Sequence, residues 1–541
     1  MSNKSWTLIA AVLGSGVVFL DSSVLPVALP AIGREPRLFV DVLEGQNYIQ
    51  YGYLLTLSAL LVLAGALTDV FGRRRMFVIG LVGFGATSFI CGLAPNMELL
   101  ILARLLQGAA GAILVPGSLA LLANTFEGEE QGRAFGIWAG ASSAVTVLGP
   151  FVGGLLADEL SWRAIFLLNL PLIAVAVWAA RRHVAESRDE GASRHFDWLG
   201  ALLVAVAVGG FSFGAIFGQQ RQWQDPLAFA AIGLGALATV ALPIYFARAR
   251  HPLVPLGMFR SRNFSVTNVS TLLIYGSLYV TFIYLPIYLA GSLGYSASAV
   301  GLGTVPSSLF LIVLSARFGS LASRFGPRWF MVGGPLLMAG GVVWLSRIPS
   351  TSEPWQLRMG DATSYFPSTG YFLDVLPAML IFGLGISIMV APLTTALMRS
   401  VPGRQAGLAS AINNAVSRVG PQLAGALIFV VVTATFYSAL QVRAPELNMN
   451  DPQVRRTIPP LSRPEPEVSR AHVLAAREAS TEAFRLAMLT SAGLLLLGAL
   501  VNAVGISDRQ ARAAGGSGTA GSAAEGGGAG DGSVAPGAGA A

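Results

Sequence analysis

Fourteen apolar segments, separated by polar turns and linkers, constrain this chain more than any other feature. They fall at about 6–32, 48–70, 76–95, 99–125, 133–157, 163–181, 197–218, 226–247, 264–290, 298–316, 329–346, 373–396, 405–438 and 484–506. At about 1.5 Å of rise per residue, a helix of some twenty residues crosses a hydrocarbon core of roughly 30 Å. Lipid offers no partner to a backbone amide, so segments this long are helices that satisfy their own backbones. The fold class predicted is therefore an all-α polytopic membrane protein with 14 transmembrane helices. Composition argues against a soluble alternative. Only 12% of residues are charged, against about 25% in a typical soluble domain.

The surplus of basic residues, a net +7, reads as membrane topology and not as nucleic-acid binding, because it is spread over many short loops. With the N-terminus inside, 20 Lys and Arg fall in cytoplasmic segments and 6 in the short opposite loops. Both termini are then cytoplasmic and the protein sits in the cell membrane. Lys4 followed by an apolar run resembles a secretory signal. The run is too long, holds Asp21 and lacks a small-residue cleavage site, so it reads as the first span.

An internal repeat sets the architecture. Gly65-Ala-Leu-Thr-Asp69-Val-Phe-Gly72-Arg73-Arg follows span two, and Gly319-Ser-Leu-Ala-Ser323-Arg-Phe-Gly326-Pro-Arg follows span ten, 254 residues later. Gly149-Pro150-Phe-Val-Gly153-Gly154 in span five matches Gly420-Pro421-Gln-Leu-Ala-Gly425 in span thirteen, at an offset of 271. Each pair lies eight spans apart. Two six-helix halves with two further helices between them explain this, and duplicated halves around a central site are a common transporter construction. The expected units are an N-terminal half (1–183), two linking helices with a basic linker (184–262), a C-terminal half (263–506) and a tail (507–541). The tail is nearly all Gly, Ala and Ser and is expected to be disordered. Residues 441–482, rich in proline and mixed charge, are expected to be loosely structured before an amphipathic helix enters the last span.

Polar residues inside spans single out the candidate site. Asp21 is the one charge in the stretch 6–32. A charge at that depth costs about 2.5–3.5 kcal/mol and marks a proton or ion path more often than a structural accident. Arg104, within span four, needs a partner or a wet cavity. Asp21 and a backbone carbonyl are both open to it, and the outcome is either proton transfer or a structural tie. Asp69 ends a helix and Gly72 permits a tight turn, with Arg73 to Arg75 at the anionic leaflet. Asp69 pairs with an arginine or caps a neighbouring helix. The group is then a latch between access states or a topology anchor. Gly149, Pro150, Gly153 and Gly154 kink span five and admit a close neighbour. Gln107, Asn413, Asn414 and Arg418 are candidates to line a substrate cavity, although hydrogen bonds between helices are the favoured account of Asn413, Asn414 and Arg418.

Other chemistry is not indicated. Cys91, the single cysteine, excludes an internal disulfide and a cysteine-rich metal site. His183, His195, His251 and His472 have no metal-ligand spacing. There is no glycine loop with GK[ST], so ATP is not expected as the driver, and no cofactor is expected. An enzyme or a receptor would need a catalytic cluster or a folded signalling domain outside the membrane, and neither is evident.

Five motifs, in order and on the right spans, resemble the fourteen-span drug–proton antiporter family of the major facilitator superfamily. They are LDSSVLPVALP at 20–30, GALTDVFGRRR at 65–75, RLLQGAAGA at 104–112, LGPFVGG at 148–154 and WRAIFLLNLP at 162–171. The resemblance covers about residues 1–506. It implies export of small lipophilic or cationic compounds by alternating access, with protons and small molecules as partners in a lipid bilayer. It also implies that Arg104 assists proton transfer and that 149–154 marks antiport. A dedicated exporter of a native metabolite or lipid is the alternative. The oligomeric state stays open, a monomer being compatible. Ser23 and Pro26 depart from the family pattern, as does Ser323 where the first half has Asp69. The first two leave substrate identity and coupling detail open.

Overall fold

A computed structural model describes residues 2–32, 42–188, 196–220, 225–358, 361–465 and 467–507, without some side chains inside helices, among them those at 26–28, 150 and 154. The tail and the pieces of linker at 189–195 and 221–224 lie outside the described residues.

The regular elements described are helices. The first half comprises α1 (Asn3–Ile32), α2 (Val42–Phe71), α3 (Arg73–Gly92), α4 (Met97–Thr125), α5 (Gly128–Glu159), and α6 (Trp162–Leu167) continued by α7 (Asn169–His183) as one crossing. Next come α8 (Trp198–Gln220) and α9 (Pro226–Arg248). The second half comprises α10 (Arg262–Tyr288), α11 (Ala297–Phe325), α12 (Arg328–Leu345), α13 (Leu376–Arg399), α14 (Ala406–Arg443), the short α15 (Pro452–Thr457) and α16 (Arg470–Gly505). Among the described residues, 13 helices are long and apolar enough to cross a membrane. The 32-residue α5, several of whose side chains lie outside the described set, packs against α1 and α11 in the same bundle.

The repeat has a direct geometric counterpart. Gly72 and Gly326, equivalent in the two motifs, share one left-handed-side turn, at φ 103° and φ 99°. A side chain there would be strained, and that explains glycine at both ends of the repeat. The second helix of each half packs on the fifth helix of the other, α2 on α14 and α11 on α5. Both seams close at the same end. Near it, a Cβ on Gly65 would stand 2.7 Å from the Gly407 carbonyl oxygen. A Cβ on Gly132 would stand 2.8 Å from the Gly319 carbonyl carbon. Further along α5, the partner is α1 of its own half. The apolar cores repeat this division. One cluster belongs wholly to the second half, and another joins the first half to the α13–α14 turn through Leu397, Val401, Ala406 and Ala409.

The helix α8 packs on both α2 and α14, so it lies over one of the two seams. The helix α9 packs on α8 and leaves Leu234, Leu237 and Val240 exposed, as a lipid-facing helix does.

Residues 441–482 differ from the expectation. Met449, Ile458 and Leu461 bury their side chains in the second-half core and α15 forms within the segment, while α16 starts at Arg470, where the amphipathic helix entering the last span is expected. A proline-rich composition hid three apolar anchors that are too widely spaced to show any period.

Candidate functional site

Asp21, two-thirds of the way along α1, faces α4. Arg104 Nη1 donates to its Oδ2 at 2.5 Å, with both side chains essentially sealed from solvent. Gln107 stands one turn further along α4. Its Oε1 accepts from Arg104 Nη1 at 2.7 Å, and its Nε2 donates to Asp21 Oδ1 at 3.3 Å. The i, i+3 spacing puts both α4 residues on the face that meets the carboxylate. Arg104 Nε donates to the Ile49 carbonyl at 3.2 Å, and the guanidinium lies 4.1 Å from the centre of the Tyr53 ring. The two partners left open by the sequence, carboxylate and carbonyl, are thus both used. Gln107 belongs to this cluster as a wholly buried member.

Three members of the cluster were not singled out from the sequence. Asn169, the first residue of α7, donates to Asp21 Oδ1 at 3.5 Å and to Ser88 Oγ at 3.0 Å. Ser88 donates in turn to the Phe166 carbonyl, which ties α3, α6 and α7 to the carboxylate. Tyr53 supplies the ring beneath the guanidinium. Asn169 sits inside WRAIFLLNLP, a lone amide in an apolar run, and that was the available signal. Cys91 is buried beside Gln107, its Sγ 3.6 Å from Oε1.

The second group lies at the closed end. Asp69 Oδ1 accepts from Arg73 Nε at 3.2 Å and from Nη2 at 3.0 Å. The same carboxylate caps the start of α14 in the other half, accepting from Gly407 N at 3.3 Å and Leu408 N at 2.8 Å. Anions are stabilised at a helix N-terminus by its unpaired amides and dipole. Arg73 adds bonds to the Gly403 carbonyl at 2.6 Å and to Asn124 Oδ1 at 3.2 Å. The aspartate pairs with an arginine and caps a helix at once, and it does so across the two halves. Gly65 sets the approach, and Gly72 turns the chain so that Glu186 can accept from the amides of Arg74 and Arg75 at 3.0 and 3.1 Å. At the other seam Ser323 stands where the first half has Asp69. There Arg399 makes the crossing, donating to the Gly128 carbonyl of the first half at 2.7 Å and to the Ser323 carbonyl at 3.2 Å.

Gly149 and Gly153 admit α1. A Cβ on either would stand within 2.8 Å of a Ser23 or Val24 atom. Pro150 and Gly154 lie outside the described side chains. The second-half candidates separate. Asn413 bonds to Asn268 and Thr271 of α10 at 3.2 and 2.8 Å, within its own half. Asn414 bonds to Ser410 of its own helix. Arg418 Nε is closed to solvent and has no hydrogen-bond partner among the described residues.

This arrangement, two homologous helical halves meeting along two seams, with a buried ion pair inside the first half, is that of a secondary transporter. The comparisons agree. Residues 11–425 match the family model for the Major Facilitator Superfamily. The chain is 31% identical over 436 residues to the multidrug resistance protein Stp of Mycobacterium tuberculosis, covering 80% of this chain and 77% of that one. It is 31% identical over 435 residues to the tetracenomycin C resistance and export protein of Streptomyces glaucescens, with the same coverage of 80% and 77%. It is 32% identical over 436 residues to the puromycin resistance protein pur8 of Streptomyces alboniger, covering 79% and 82%. Among solved structures, a double-tryptophan variant of XylE superposes with a TM-score of 0.57 at 14% identity, covering 94% of this chain and 98% of that one. The human organic anion transporter MFSD10 superposes at 0.55 and 14%, covering 92% and 99%. The chain belongs to the major facilitator superfamily. It is a multi-pass membrane transporter, not an enzyme.

Proposed function

We propose that this protein is a proton-coupled exporter of small lipophilic or cationic compounds. One observation carries the reading: a lone carboxylate, Asp21, buried in a span and held by Arg104, Gln107 and Asn169. A carboxylate so placed has two states of different charge in a low-dielectric site. Exchange between them, seen first from one side and then from the other, moves a proton. Arg104, Gln107 and Asn169 hold the carboxylate in place. Substrate occupies the space between the halves, and rocking about the seams alternates its access.

The names of the relatives support export. They also support the second reading, a dedicated exporter of one native compound, since one relative is named for tetracenomycin C and another is a probable actinorhodin transporter of Streptomyces coelicolor. Asp69 with Arg73 acts as the latch of the closed end. The basic loops lie on that side, so the closed end is cytoplasmic, both termini are inside, and the space between the halves opens outward in the cytoplasmic membrane. The motif at 149–154 holds α5 against α1 through the cycle.

The test is transport in proteoliposomes under an imposed pH gradient. Asp21→Asn is expected to abolish gradient-driven uptake of an ethidium-type probe while the protein still inserts. Normal uptake by this variant would remove Asp21 from coupling.

A further inference from the structure

Asp374, just before α13, and Arg418 are the charged residues within the apolar segments 264–290, 298–316, 329–346, 373–396 and 405–438, and Arg418 alone of the two is deep in a helix. It lies twelve residues into the 38-residue α14, about 18 Å from its start. Its position on the helix follows from spacing. Gly407, Ala411, Asn414 and Arg418 stand at i, i+4, i+7 and i+11, so they share one face. That face meets α2, since Gly407 touches Asp69 and Ala411 touches Gly65. The two helices run in opposite directions. Moving back from Gly65 along α2 by twelve residues reaches Tyr53, and moving forward from Gly407 along α14 by eleven reaches Arg418, rises of about 18 and 16 Å. Tyr53 and Arg418 are therefore at about the same depth along the α2–α14 seam.

The other polar candidates of the site are already committed. Asp21 is taken by Arg104, Asn413 by Asn268 and Thr271, and Asn414 by Ser410. Arg418 is half-buried, and its Nε is closed to solvent without a partner among the described residues. A guanidinium carries five donors and does not lose its charge, so leaving it unsatisfied in a membrane interior is costly. A partner that comes and goes accounts for that cost. The fork of a guanidinium matches a carboxylate or phenolate oxygen.

We propose that Arg418 is a substrate-recognising cation, and that it selects compounds carrying an acidic oxygen on an apolar body. This rests on the export reading and keeps its lipophilic substrates while replacing the cationic ones with acids, since a fixed positive charge favours an acidic oxygen over a cation.

The experiment uses the full chain in nanodiscs of zwitterionic lipid and matched aromatic probes, pyrenebutanoate with its uncharged amide and naphthaleneacetate with its amide, titrated by fluorescence anisotropy. Wild type is expected to bind each acid about tenfold more tightly than its amide. Arg418→Gln should bring that ratio to about one with amide binding retained, and Arg418→Lys should keep part of it. The melting temperature of Arg418→Gln should not fall, because the variant removes an unsatisfied charge. An acid that binds no better than its amide in either pair, absent binding included, overturns the proposal. So does a melting temperature several degrees lower in Arg418→Gln, which would make Arg418 a structural tie. Transport separates the two readings. Gradient-driven movement of the amides without acid preference sinks the Arg418 site alone. Acid preference without movement of any probe sinks the export reading and leaves the site standing.

Discussion

The ion pair at Asp21 and Arg104 is asymmetric in what each partner would leave behind. Besides the more distant Phe166 ring at 5.7 Å, Arg104 makes four contacts: Asp21, Gln107, the Ile49 carbonyl and the Tyr53 ring. If Asp21 becomes asparagine, the guanidinium keeps three of these and an amide oxygen. If Arg104 becomes alanine, a buried carboxylate keeps only the amides of Gln107 and Asn169. Removing one partner of a buried pair costs about 3–5 kcal/mol when the remaining charge is uncompensated. Arg104→Ala should therefore lower the melting temperature clearly more than Asp21→Asn, as read by a thermal-shift assay in detergent. Equal losses would show that the amides alone satisfy the carboxylate. The importance of Asp21 was legible in the sequence because a charge among apolar residues needs no structure to stand out. Asn169 and Tyr53 were not, because an amide or a tyrosine in a span is unremarkable until something charged lies beside it.

At the scale of elements, the Asp69 cap exists only while α2 and α14 are together. Its free energy belongs to one access state, so it biases the equilibrium between states. A charged N-cap contributes about 1–2 kcal/mol. Asp69→Asn should then shift the equilibrium by about tenfold toward the state open at this end. Spin labels at positions 75 and 402, on opposite halves near the latch, should report a larger long-distance population by pulsed electron resonance. An unchanged distance distribution would reduce Asp69 to a topology anchor. Binding affinity for a transported probe should change less than turnover. The sequence supplied both halves of this contact, Asp69 and the start of span thirteen. It could not join them, because the 338 residues between Asp69 and Gly407 carry no trace of which ends meet.

Across the whole molecule, the two halves repeat a plan but differ in chemistry. The first half holds the acid and its arginine within its spans, and the second holds Arg418. One seam is tied by a carboxylate on a helix start, the other by Arg399 on a carbonyl. The linking helices break the symmetry further, since α8 covers the α2–α14 seam. The Gly/Ala/Ser tail follows the last helix and its arginines at 509 and 512. Deleting residues 513–541 should leave the transport rate per molecule unchanged, because the basic flank that orients the last span remains. A fall in rate after correction for expression would give the tail a part in the cycle.

The sequence by itself determined the helices, their number to within a span, the duplication and the residues worth testing. Length, apolarity and stray charges are local properties, and a bilayer leaves a chain few ways to satisfy its backbone. Tertiary structure alone decided the partners. It placed Asn169 on Asp21, Asp69 on α14, Arg399 on α5 and Met449 in a core that its proline-rich neighbours concealed. Those contacts depend on how helices far apart in the chain pack against one another, and packing of that kind is a property of surfaces, which no single segment contains.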